Sequence, residues 1–346
     1  MLDVLAITGP IFLVALLGFA TTRAGLFAKA DMRVFGKFVV NIALPALLFN
    51  ALSQRPLGDV LNGGYLLAYL AGSLVLLGAG YVWGHRVARL DPAGSSIVAM
   101  GMTCANSGFI GYPILLLTLP SVAGVVLALN MMVENLVVIP LVLLLAERGR
   151  GGRGRWHTVA GKSLARLAAN PLLIAIAGGI AMSALGWRLP AAVARTVDLF
   201  ALSSSALSLF VIGGTLVALP MRGLGRKIVP IAIGKLLLHP LAVGLAVFAL
   251  PALGMPALDP SLRAAAVLTA AVPMMGIYPI FAQAYGHEDV GAASMLVATG
   301  ASLFTLSELL RMFANHPGVF CSRRRRPLRT ALAPRIGRAL SATTAL

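Results

Sequence analysis

The sequence predicts an all-α integral membrane protein, a bundle of about ten transmembrane helices. Three observations carry this. Of 346 residues, 59% are hydrophobic and only 11% are charged, whereas a soluble domain is about half apolar and a quarter charged. The mean hydropathy is +0.91. The apolar residues gather into runs long enough to cross a bilayer, which takes about 20 residues in a helix.

The runs fall at 4–22, 34–53, 62–83, 94–118, 121–146, 167–186, 197–219, 228–250, 262–285 and 290–313. The first is not preceded by a basic segment or followed by a small-residue cleavage pattern, so it reads as a retained helix. The net charge of +17 does not point to nucleic acid, because the basic residues sit in the gaps between runs. Fifteen of them occupy alternate gaps, including Arg23, Arg86, Arg148 and Lys227, while the opposite gaps hold Arg55, Arg188, Arg195 and Arg263. The positive-inside rule then puts both termini outside the cytoplasm of a bacterial inner membrane. Seven arginines between Arg323 and Arg338 contradict this pattern and read as a disordered appendage. The Arg/Gly stretch from Arg148 to Arg155 reads as an orientation signal with some attraction to anionic lipid.

Two runs carry helix breakers. The fourth contains Asn106, Gly108, Gly111, Tyr112 and Pro113; the ninth contains Pro273, Tyr278 and Pro279. The Tyr-Pro pairs lie 166 positions apart, and shifting the first five runs by that offset lays them on the last five. The expected organisation is a repeat of five helices (1–146), a basic cytoplasmic linker (147–166), a second repeat (167–313) and a basic tail (314–346). Five is odd, so the second repeat is inverted. Inverted repeats with matched broken helices point to a secondary transporter, since backbone groups freed by proline cannot face lipid. At this level a channel built from half-helices stays open.

Four motifs resemble the auxin efflux carrier family: Asn41-Ile-Ala-Leu-Pro-Ala-Leu-Leu-Phe49, Asn106-Ser-Gly-Phe-Ile-Gly-Tyr-Pro113, Lys235-Leu-Leu-Leu-His-Pro240, and Pro273 to Tyr285. The bacterial malonate and malate permease branch is the most similar. The resemblance implies a fold in which helices 1, 2, 6 and 7 form a scaffold and the rest move past it, elevator-fashion. It implies a small carboxylate as substrate, bound where helices 4 and 9 cross, and a homodimer through the scaffold. A sodium-coupled organic anion symporter of the bile-acid type and an anion channel are the alternatives.

The candidate substrate contacts are Asn41, Asn106, Gly108, Gly111, Tyr112, Pro113, Pro273, Tyr278 and Pro279. Asn106 offers an amide donor to a carboxylate without a buried charge. Glu134 and Asn135 lie within the fifth run. A carboxylate inside a bilayer is expensive and a functional candidate by default; Glu134 either couples a proton or pairs with Lys235, which has His239 one turn away. No phosphate-binding loop, zinc motif or nucleophile elbow occurs in the sequence. No enzymatic activity, cofactor, metal or nucleic-acid partner is expected.

Overall fold

A computed structural model describes residues 2–56, 61–149, 168–217 and 228–315. Of the predicted linker 147–166 and tail 314–346, residues 147–149 and 314–315 continue helices, and the rest lie outside the described residues, as do Arg222, Arg226 and Lys227.

The described residues are helical, with no strand among them. We label the helices α1 (Leu2–Arg23), α2 (29–53), α3 (Gly63–Arg86), α4a (Pro92–Thr103), α4b (107–118), α5 (123–149), α6 (Pro171–Leu185), α7 (Ala191–Leu216), α8 (228–249), α9a (Pro260–Ala270), α9b (Tyr278–Ala284) and α10 (Glu288–Asn315). Among the described residues, each of the ten apolar runs contains helix. Six unbroken helices among the described residues, within α2, α3, α5, α7, α8 and α10, are long and apolar enough to cross a membrane. The α6 helix is shorter, at 15 residues. The fourth and ninth runs are each split in two.

Proline sets much of the local structure. Four wide, π-helical turns occur at Val39–Ala43, Ser107–Gly111, Glu134–Val138 and Gly234–Leu238. Each ends one residue before an Xaa-Pro pair: Leu44-Pro45, Tyr112-Pro113, Ile139-Pro140 and His239-Pro240. Proline lacks an N–H, and its ring crowds the carbonyl four residues back. Widening the turn relieves both problems locally. Both α4a and α9a begin on Asp-Pro. Asp91 Oδ1 accepts from the Gly94 amide at 3.2 Å, and Asp259 Oδ1 from the Ser261 amide at 2.8 Å. Capping and a proline in the first turn fix both starts.

The helices pack in a cross-paired pattern. The α1 helix lies against α7, and α2 against α6, while α3 packs on α4a and α8, and α10 on α9b. The α1/α7 contact depends on glycine: a Cβ at Gly18 would fall 2.1 Å from the Phe210 carbonyl oxygen, and one at Gly213 1.8 Å from that of Ala15. Gly72 does the same for α3 against α8, where a Cβ would come 2.7 Å from Val243 Cα. The largest apolar cluster runs through α2, α3, α4a, α5, α8 and α9a, and surrounds the two breaks.

Candidate functional site

Where this cluster meets a smaller one, which includes Ala105, Ala271 and Val272, two extended segments cross. Residues Cys104 to Asn106 separate α4a from α4b, and 271–277 separate α9a from α9b. They run antiparallel, with a single bridge between Ala105 and Met274. The Asn106 amide donates to Pro273 O at 2.9 Å, and the Met275 amide donates to Cys104 O at 3.3 Å. The extended stretch in the fourth run precedes the Asn-to-Pro motif, which itself forms the start of α4b. Buried backbone groups are paired almost without exception, and here each broken helix satisfies the other.

Asn106 sits at the heart of the crossing and is 3% exposed. Its Oδ1 accepts from the Phe109 amide at 3.3 Å and so caps α4b. Its Nδ2 is buried with no hydrogen-bond partner. Gly108 and Gly111 lie in the wide turn that follows, and a Cβ at Gly108 would press on Leu44 of α2 at 2.9 Å. Tyr112 and Pro113 open the regular part of α4b and are buried. Pro273 supplies the carbonyl that receives Asn106, and Tyr278 and Pro279 begin α9b. The hydroxyl end of the Tyr278 ring packs against helix α4a, where a Cβ at Gly101 would come 2.7 Å from its oxygen.

Charged side chains from neighbouring helices hold both breaks. From α5, Glu134 Oε1 accepts from the Ala105 amide at 2.9 Å, from Ser107 Oγ at 3.4 Å and from the Tyr69 hydroxyl at 3.5 Å. From α8, Lys235 Nζ donates to Ala270 O at 2.8 Å, the last residue of α9a, and contacts His239 Nδ1 at 2.7 Å. Glu134 and Lys235, for which pairing was one of two open roles, lie more than 4.0 Å apart; among the described residues the pairs within that distance are His287–Asp91 and Arg311–Glu308. Each instead satisfies a backbone group that a broken helix leaves exposed.

Two other residues fall elsewhere. Asn41 is exposed, and its amide donates to Lys37 O at 2.8 Å on its own helix. Leu44, one turn on, is the α2 residue that reaches the crossing. Asn135 points away from Glu134, donating to Met131 O at 2.9 Å and accepting from Asn170 at 3.3 Å. Several residues that sequence reasoning passed over belong to the cluster. Tyr65 and Tyr69, one turn apart on α3, stack with centroids 6.0 Å apart. The Tyr65 hydroxyl donates to Asn130 Oδ1 at 2.9 Å, one turn before Tyr69 meets Glu134. Ser73, a further turn along, meets His239 Nε2 at 3.0 Å. Hydroxyl-bearing residues at i, i+4 and i+8 of an apolar helix were the available signal.

These features define a polytopic helical membrane protein whose buried polar core is a crossing of two broken helices. Residues 6–310 match the family described as membrane transport protein, and the chain belongs to this family of auxin efflux carriers. It is 27% identical over 311 residues to a protein of Rhizobium meliloti (strain 1021) named "Putative malonate transporter", spanning 90% of this chain and 96% of that one. It is also 27% identical over 214 residues to the "Uncharacterized transporter YfdV" of Escherichia coli (strain K12), covering 60% of this chain and 67% of the other.

Proposed function

We propose that this chain is a secondary active transporter of small organic anions, with malonate the first to test, working by alternating access. The observation that carries the reading is the side-chain amide nitrogen of Asn106, Nδ2: a donor buried at the crossing with nothing to donate to. An unmade hydrogen bond at a buried donor costs about 1–3 kcal/mol, and a carboxylate oxygen would relieve it. The name of the Rhizobium relative supplies the choice of malonate. The bound anion would lie at the start of α4b, among Asn106, Gly108, Gly111, Tyr112 and Pro113 on one side and Pro273, Tyr278 and Pro279 on the other.

Transport implies two states, and an inverted repeat supplies them. We read 1–146 and 167–313 as the two five-helix repeats, joined by the basic linker 147–166 and followed by the tail 314–346. Supporting this, the 166-residue offset of the Tyr-Pro pairs recurs between Ser73 and His239, which touch at 3.0 Å. Two equivalent positions meet in this way where a pseudo-two-fold axis passes. The Asp-Pro starts of α4a and α9a and the exchanged pairings α1–α7 and α2–α6 fit the same axis. The α1, α2, α6 and α7 helices would form the scaffold and the homodimer contact, and the remainder would move past them, elevator-fashion. The distribution of basic residues favours a bacterial inner membrane with both termini outside.

The test is uptake of radiolabelled malonate by purified protein in liposomes, with unlabelled mono- and dicarboxylates as competitors. Saturable uptake, competed by carboxylates and reduced at least tenfold in Asn106→Ala, is the expected result. Currents through single open pores would replace the carrier with a channel. Uptake that stops when sodium is replaced would replace it with a sodium symporter.

A further inference from the structure

His239 is fully buried in the middle of α8, and the transport reading gives it no task. Its contacts restrict where protons can sit. Nδ1 lies 2.7 Å from Lys235 Nζ and 3.2 Å from Ala270 O, and Nε2 lies 3.0 Å from Ser73 Oγ. An ammonium has three donors and no acceptor, while a neutral imidazole has one nitrogen of each kind. With Lys235 charged, Nδ1 must accept, and the ring proton is on Nε2 facing Ser73. With the proton moved across the 2.7 Å contact, Nδ1–H donates to a neutral Nζ and faces the Ala270 carbonyl. Both arrangements satisfy every group, and both carry one positive charge. Two charges would set N–H against N–H. The pair therefore stores one proton in two positions.

The surroundings define what else such a proton would feel. From α3 the Tyr69 ring meets His239 edge-on, 5.8 Å between centroids. From α5 comes Glu134, which the Tyr69 hydroxyl meets at 3.5 Å, and Cys104 lies buried in the first break. The α4a helix contains no charged residue. From α9a comes the Ala270 carbonyl, while Arg263 lies over the Phe248 ring at 5.9 Å. On α10, Glu308 and Arg311 pair with each other at an exposed site.

We propose that His239 is the exchange partner through which Lys235 loads and unloads a transported proton. This rests on the transport reading above. In loading, Nε2 gains a proton from the Ser73 side while Nδ1 passes its own to the neutral Nζ. One N–H forms at Nε2, one breaks at Nδ1, and one forms at Nζ. Unloading reverses these steps, the proton comes from and returns to water, and no electron moves. The loaded ammonium caps the C-terminal end of α9a, where a helix favours positive charge. Proton occupancy thus sets how firmly the second break is held beside Asn106, and links proton movement to the substrate site.

The experiment follows malonate uptake together with internal pH, reported by a trapped dye, in liposomes carrying wild type, His239→Gln or Ser73→Ala. Glutamine keeps one donor and one acceptor but cannot relay a proton. In wild type, malonate and protons are expected to move together, and a pH gradient to speed uptake. In His239→Gln the ratio of gradient-driven uptake to zero-gradient exchange is expected to fall to unity, and in Ser73→Ala to fall partway. A ratio in His239→Gln equal to that of wild type overturns the proposal, as does wild-type malonate flux with no proton movement. Nitrogen-15 NMR of labelled histidine in substrate-free, detergent-solubilised protein gives an answer that does not depend on flux. A histidine signal absent from His239→Gln should show a neutral ring that changes reversibly with pH from Nε2–H, when the pair is loaded, to Nδ1–H, when it is unloaded. A signal fixed in one form at every pH overturns the relay. Absence of malonate flux in wild type would remove the transport reading, and the spectra would still decide on the proton.

Discussion

The two breaks share a backbone plan and differ in how they are held. The first is fixed through an amide, that of Ala105, by the carboxylate of Glu134. The second is fixed through a carbonyl, that of Ala270, by the ammonium of Lys235. A backbone N–H makes one bond and is rarely left unmade, whereas a carbonyl has two lone pairs and tolerates partial satisfaction better. The same topology therefore has an unforgiving side and a forgiving one. An acidic side chain serves one end and a basic one the other, so the two breaks are held by groups of opposite kind.

Removing the anchors should expose this difference. Glu134→Leu leaves the Ala105 amide buried and unpaired, which should destabilise the fold by about 2–3 kcal/mol. Thermal unfolding in detergent would register it, and Glu134→Gln, which keeps an acceptor, should recover much of the loss. Lys235→Met leaves the Ala270 carbonyl with a freed lone pair and should cost less, about 1–2 kcal/mol. If the two variants unfold at equal temperatures, the contrast between the breaks is wrong. Asn106→Ala separates stability from transport: losing the cap on the Phe109 amide should cost about 1 kcal/mol, while carboxylate uptake should fall at least tenfold, about the 1.5 kcal/mol of one hydrogen bond to a charged group. The smallest effect is expected at Asn41→Ala, whose amide bonds within its own helix; uptake close to wild type would confirm that α2 meets the crossing through Leu44 instead.

The helices and their breaks were legible because their causes are local. Apolar runs, Asp-Pro starts and Tyr-Pro pairs act within a few residues of where they stand. The positions of Asn106, Pro273 and Tyr278 at one crossing followed from the matched motifs. The partners of Glu134 and Lys235 did not. Opposite charges in an apolar bundle suggest a pair, but which backbone group lies nearer depends on how α5 and α8 are rotated about their axes, and hydropathy is nearly uniform around both. The exposed position of Asn41 was not legible either, since a polar residue beside Leu-Pro says nothing about which way it faces. Ser73 and His239 could have been found by applying the 166-residue offset to single positions instead of whole spans.

The wide turns have one more consequence. Each residue of an α-helix advances the direction of its side chain by about 100°, and a turn with an extra residue shifts everything beyond it by that angle. In α5, Asn130 before the wide turn and Glu134 at its first residue face α3 and the crossing, and Val142 and Ala146 are buried after it. Deleting one residue between 134 and 138 would keep the helix intact and swing its second half off α4a. Single-residue gaps between relatives at these four prolines would then mark changes of helical phase, and an alignment that slides across them would pair inward-facing residues with lipid-facing ones.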